Sequence, residues 1–177
     1  MNLPFRYGSR KKLHQYLSAT MLSCVIVLLI CVVSGSLLVT PALATNYNRQ
    51  YLEGVDFSGQ DLTDSRFSKT NLRNSDLSYA NLTGVSLFGA NLERANLVGA
   101  DLRYATLDSA RLVKANLTNA VLEGAFASNV QFEGAIIEGA DFTDVMLRSD
   151  IQDKLCAIAA GTNPVTGRQT YDTLFCP

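Results

Sequence analysis

Histidine is almost missing from this chain of 177 residues, and its single copy, His14, lies in an N-terminal stretch that reads as a leader. Acidic charge is missing there too. Residues 1–16 carry Arg6, Arg10, Lys11 and Lys12 with no acid, and from Leu17 to Thr40 no residue is charged. A basic start, an apolar stretch and the small-x-small end Ala42-Leu43-Ala44 make a secretory signal cleaved after Ala44. The alternative is an uncleaved anchor, since the uncharged stretch of residues 17–40 exceeds the ~20 residues a spanning helix needs. Either way the basic flank stays in the cytoplasm and the rest lies across a membrane. Beyond Ala44 no histidine remains, which removes the usual general base. There is also no glycine-rich phosphate loop and no cluster of metal ligands at a recognised spacing. Catalysis is therefore excluded, and no cofactor or metal is expected. All sixteen acids but only eleven of the fifteen bases lie beyond Ala44, a net charge of −5 that disfavours nucleic acid and anionic lipid as partners. The membrane enters only through residues 17–40, if they are retained.

What is present is a period of five. Every fifth residue from Leu52 to Leu147 is large and apolar, with Ala127 as the one exception. Two residues before each stands a mostly small one, alanine without a break from Ala90 to Ala125. One residue before it Asn or Asp recurs, as in Asn71, Asp76, Asn81, Asn91 and Asn116. Neither a helix of period 3.6 nor a strand of period 2 holds one face through such a pattern. A square coil does, if each pentapeptide forms one side and the chain turns at every corner. The large and small residues then point inward and the other three positions face water. The ends of the core are phenylalanine (Phe57 and Phe67, then Phe132 and Phe142), and its middle is mostly leucine. At Ala127 two outcomes stay open: a void that Phe142 helps to fill, or a bulge that turns Phe126 inward.

This A(N/D)LXX pattern resembles the pentapeptide-repeat family, whose fold is a right-handed quadrilateral β-helix. The resemblance implies an all-β solenoid over residues 50–148, about five coils stacked at strand spacing into a rod roughly 24 Å long, after a short segment at 45–49. Residues 149–177 read as an α-helical cap. Ser149-Asp150-Ile151-Gln152 has the form of a capping box, Gly161 suits a helix end, Asn163-Pro164 and Thr166-Gly167 signal turns, and Thr170 reads as the cap of a last short helix carrying Leu174 and Cys176. Cys156 and Cys176 are expected to pair in an exported protein. The segment from Leu155 to Arg168, closing on Leu174-Phe175-Cys176, resembles the tail of pentapeptide-repeat proteins that cyanobacteria and chloroplasts export. That implies a thylakoid-lumenal or periplasmic address and no particular activity.

The expected partner is another protein, and four sequence features bear on how it would be met. Sorting outward residues by side gives charges of +1, −3, −5 and +2. The second and third sides form an acidic flank carrying Asp56, Asp61, Asp64, Asp76, Asp101, Asp141 and Asp144. One reading of it is DNA mimicry, as in relatives that bind gyrase; the exported address opposes it, and Asp or Asn bonding the local backbone accounts for the same residues. The fourth side carries Phe88, Phe126 and Met146 with Arg66 and Lys69, a candidate docking patch set against the normal scatter of exposed apolar residues. The Cys156–Cys176 bridge is either structural or a redox element whose reduction loosens the cap. Divalent-cation binding around Asp61 and Asp64 has no ligand spacing to support it.

Overall fold

The computed structural model describes residues 45–177. The leader or anchor, with Ala42 and Ala44 at its cleavage site, lies outside the described residues. Seventeen parallel bridges join each residue i to i+20, from Asn46↔Arg66 to Phe126↔Met146. The chain therefore returns over itself after four pentapeptides. The ladder begins inside the segment expected to precede it: Asn46 pairs with Arg66, and the Tyr47 ring stacks on Phe67 at 4.8 Å.

Two sets of bonds repeat. The central residue of each side donates its N–H to a carbonyl nineteen residues on, as Leu52 does to Asn71 and Leu117 to Ile136. Each corner closes by a bond from the residue three beyond the centre, as from Val55 to the Leu52 carbonyl. Except at Asp64 and Asn129, the third residue of these turns lies at positive φ, the mark of a type II turn. Glycine takes it at Gly54 and Gly84, but Tyr79 (φ 57°), Arg94 (57°), Tyr104 (57°) and Lys114 (58°) do too. Each such residue costs energy in this region, so the ladder bonds on both sides of the corner hold it there.

The inward positions are fully enclosed. Leu72 through Leu122 at the central position and Ala90 through Ala125 at the small one are at most 1% exposed. A Leu so enclosed contributes roughly 1.5–3 kcal/mol before chain entropy is set against it. Ala127 is also buried, and Phe126 keeps its outward place in register, 44% exposed. No bulge turns it inward. The irregularity at this corner is of another kind. Asn129 lacks the positive φ of its counterparts. Ser109 N–H makes no bond to the Ser128 carbonyl, while Ser128 N–H donates to Asp108 Oδ1 at 2.8 Å, as Ser68 N–H does to Asn48 lower on the same side.

The C-terminal segment holds two helices, α1 (Ser149–Cys156) and α2 (Thr170–Thr173). Leu155 and Leu174, 2% exposed, join the same apolar cluster as the solenoid core. The expected capping box is not made. Ser149 lies inside α1, whose N-cap is Arg148 without a side-chain bond. Gln152 Nε2 donates to the Leu174 carbonyl at 2.6 Å, at the end of α2, where an orphan acceptor waits. Thr170 is likewise the first residue of α2 rather than its cap, which is Gln169. Gly161 ends neither helix: at φ +82° it crosses Gly139, and a Cβ there would sit 2.7 Å from the Gly139 nitrogen. The crossing is tied by Gly139 N–H to the Ala160 carbonyl at 2.8 Å.

Candidate functional site

The acidic flank is built into the corners. On the second side, Asp56 Oδ1 accepts from Ser58 N–H and Asp76 Oδ1 from Ser78 N–H, both at 2.9 Å. Asp61, Asp101 and Asp141 do the same for Thr63, Arg103 and Thr143. Asn46, Asn71, Asn81, Asn91, Asn96 and Asn116 make the equivalent bond, so carboxylate and amide are interchangeable in this job. Bonds from Ser58 and Ser78 hold the Asp56 and Asp76 carboxyls below the usual carboxylate range. At Asp101 burial pushes the other way, but the Arg103 side chain and backbone outweigh it. Asp64 and Asp144 occupy the corner position, where Asp144 has positive φ and Asp64 does not.

The far end of this flank is covered by the chain itself. Arg168 reaches back to Asp141 Oδ2 at 2.9 Å, to Glu123 Oε2 at 2.7 Å and to Thr143 Oγ1 at 2.9 Å. Asp141 is wholly buried. Burial raises its affinity for a proton, and Thr143, Thr166 and Arg168 together overcome that and lower its pKa. Beside this cluster Asn163, 0% exposed, donates from Nδ2 to the carbonyls of Gly139 (2.9 Å), Asn119 (3.1 Å) and Ala120 (3.3 Å). Its Oδ1 accepts from Val165 and Thr166 N–H. Sequence reasoning missed both residues. Asn163 reads as a turn former, and nothing local says that its partners lie 24 to 44 residues back.

The candidate docking patch is only partly assembled. Phe126 and Met146 are bridged neighbours on adjacent coils, 44% and 58% exposed. Phe88, 42% exposed, lies two coils below Phe126. Arg66 is three coils from Phe126, paired with Asn46 and Ser86, and Lys69 lies along Gly89, its Cγ within van der Waals reach of that corner. The basic pair is thus at one end of the fourth side and the apolar pair at the other. Cys156 and Cys176 stand at disulfide geometry with Cα atoms 5.6 Å apart, linking the end of α1 to the residue before the C-terminal Pro177.

One apolar cavity of about 420 Å³ lies between α1 and the last coil, walled by Val130, Phe132, Ala135, Ile151, Leu155 and Ile158. Among the described residues no group of three or more His, Cys, Asp or Glu is placed to hold a metal ion, and no helix is long and apolar enough to cross a membrane.

The family model for pentapeptide repeats matches residues 51–87, 80–119 and 110–148. A solved pentapeptide repeat protein from the Arabidopsis thaliana thylakoid lumen is 49% identical, with a TM-score of 0.70 over 72% of this chain and 88% of that one. The Arabidopsis thylakoid lumenal 15 kDa protein 1 is 56% identical over 36 residues, 20% of this chain and 16% of the relative. The present chain thus matches only a short part of that curated relative. QnrB1, a plasmid-mediated fluoroquinolone resistance protein, is 17% identical with a TM-score of 0.28, over 58% of this chain and 72% of its own.

Proposed function

The chain belongs to the pentapeptide-repeat family, right-handed quadrilateral β-helices that generally serve as non-enzymatic interaction proteins, and from that premise we propose that it is an exported scaffold whose fourth side docks another protein. Its relation to lumenal proteins supports the thylakoid lumen as the address, with the periplasm as the equivalent outside a chloroplast. The observation that carries the docking surface is the in-register pair Phe126 and Met146. Two large apolar side chains are stacked on successive coils where the same ladder lower down carries Ser86 and Thr106. A rigid ladder holds them at strand spacing of about 4.8 Å, so a partner meets a pre-ordered surface and little entropy is lost on its side. The C-terminal helices cap the solenoid, and the Cys156–Cys176 bridge pins that cap.

The test is affinity capture from a lumenal or periplasmic extract with the wild-type protein and with Phe126→Ser/Met146→Ser as paired baits. Partners retained by the first and lost by the second place the surface on the fourth side. Partners retained by both move it elsewhere on the rod.

A second reading is favoured by one arrangement. The bridge joins the helices that carry Leu155 and Leu174, the two tail leucines buried against the core. In that reading reduction frees the cap and changes partner binding, so the same capture run with and without reductant separates a scaffold from a redox-responsive regulator. DNA mimicry needs a free acidic flank. Corner bonds to five of its aspartates and the Arg168 clasp on Asp141 weigh against it.

A further inference from the structure

The last coil is paired only in part: Ile137 and Asp144 N–H on the second and third sides are unbonded, and on the first side, under α1, both ladder donors are. Throughout the ladder, the central residue and the residue two beyond it send their N–H groups to the next coil, and the residue two before sends up its carbonyl. Leu112 and Lys114, for instance, donate to Gln131 and Glu133, and the Ala110 carbonyl accepts from Gln131. At the last coil the C-terminal segment meets the second and third sides. Gly139 N–H finds Ala160, the Gly139 carbonyl finds Asn163, and Phe142 N–H finds Thr173 Oγ1. On the first side the next residues are helical, because the chain has entered α1, and a helix satisfies its own backbone. Phe132 N–H, Gly134 N–H and the carbonyls of Val130 and Ala135 therefore have no hydrogen-bond partner among the described residues.

These four groups border the apolar cavity of about 420 Å³ beneath α1. The core side chains beside it are less sealed than those beneath them: Phe132 is 7% exposed and Ala135 5%, where the same slots one coil down are at 0%. An extended strand would pair these donors and acceptors and cover the apolar wall beside them at the same time. The alternation of acceptor, donor, donor and acceptor along one edge is that of a strand awaiting its neighbour.

We propose that this edge binds an extended peptide segment as a fifth parallel neighbour, one pentapeptide long, with an apolar residue over Phe132 and a small residue before it. Such strand addition takes affinity from backbone bonds and selectivity from the pockets for alternate side chains. The ladder fixes the register. The peptide's second carbonyl accepts from Phe132 N–H and its fourth from Gly134 N–H, while its second N–H donates to the Val130 carbonyl; the Ala135 carbonyl is in register with a residue beyond the pentapeptide. Ile151 and Leu155 of α1 and Ile158 of the turn that follows it close over the apolar side chain. Glu133 and Lys154 stand at the mouth with opposite charges, which favours an uncharged segment. This edge is separate from the Phe126–Met146 surface, so either can fail alone.

The test titrates the 15N-labelled protein with acetylated, amidated Ala-Asn-Leu-Thr-Asn, the sequence of residues 115–119. Saturable shifts of the Phe132 and Gly134 amides, with their exchange slowed about tenfold or more as expected for new hydrogen bonds, support the site. Ile158→Arg, exposed in the turn after α1 and outside the closed core, should weaken that binding about tenfold, and Phe126→Ser should leave it unchanged. A scrambled peptide that binds as well, shifts confined to other sides, or Phe132 and Gly134 amides already protected in the free protein would each overturn the proposal.

Discussion

Asn163→Asp is the substitution that tests the cap most sharply. The buried Asn163 amide donates to three carbonyls on two coils and its oxygen takes two N–H groups. Asn163→Ala removes all of these and leaves a void. At about 1 kcal/mol for each bond lost in net terms, less what water recovers at the half-exposed Val165–Thr166 turn, the loss is about 3 kcal/mol. Asn163→Asp keeps the size and the acceptor but turns an acceptor toward Gly139, Asn119 and Ala120, where a donor is needed. At pH 7 it should cost more than alanine, because an ionised carboxylate is enclosed among carbonyl oxygens. Its folded-state pKa is then raised above the unfolded value, so the folded form binds more protons and the deficit shrinks as pH falls. Solenoid ends loosen locally, so the assay is exchange of the Gly139 amide, which donates to Ala160, alongside urea unfolding at pH 7 and pH 5. An Asp variant no worse than alanine at pH 7, or one whose deficit grows at pH 5, refutes the interlock.

Arg168→Met should lower the urea midpoint, because it leaves the enclosed Asp141 carboxylate without its cation; a midpoint equal to that of the wild type contradicts the clasp. In the wild type the lowered pKa values of Asp56, Asp76, Asp101 and Asp141 mean that the unfolded chain binds more protons below about pH 4. Their contribution is thus full above that range and is lost as pH falls through the lower folded values, so melting curves should be insensitive to these groups from pH 7 to 5. Gly99→Ala places a Cβ 2.6 Å from the Tyr79 ring at a φ of +63° and should cost about 1–2 kcal/mol; adding Tyr79→Ala should recover the steric part, measured as a double-mutant cycle in urea. Reduction, or Cys156→Ser, should lower stability by about 3 kcal/mol for a bridge spanning 20 residues, read as protection lost first in α1 and α2.

The solenoid was legible because its period is set by geometry that repeats: one inward Leu and one inward Ala per side fix the register by themselves. The Asx bonds were legible for the same reason, each being local to its corner. The corner conformations were not used, although a signal stands in the sequence. Gly54, Gly59, Gly84, Gly89, Gly99, Gly124, Gly134 and Gly139 all fall two residues past the centre, and φ is positive at each. The tail resisted because its determinants are long-range. Ser149 and Gln152 have the spacing of a capping box, but Gln152 is drawn to the Leu174 carbonyl, and Arg168 earns its place only through Glu123 and Asp141, 45 and 27 residues back.

The tail also decides which surfaces remain for a partner. Its polar contacts go to the second and third sides, through Asn163, Arg168 and Thr173, and they consume the acidic flank where it meets the cap. The fourth side keeps Phe126 and Met146 in the open, and the first side keeps an unpaired edge beneath α1. A partner selected by charge would meet carboxylates already bonded to the corner backbone and would have to compete with those bonds. One selected by apolar shape meets Phe126 and Met146, which no part of the described chain covers. That asymmetry favours recognition through apolar contact and backbone pairing, and it predicts weak salt dependence of partner binding. Capture that fades as salt is raised from low to physiological strength would return the acidic flank to consideration.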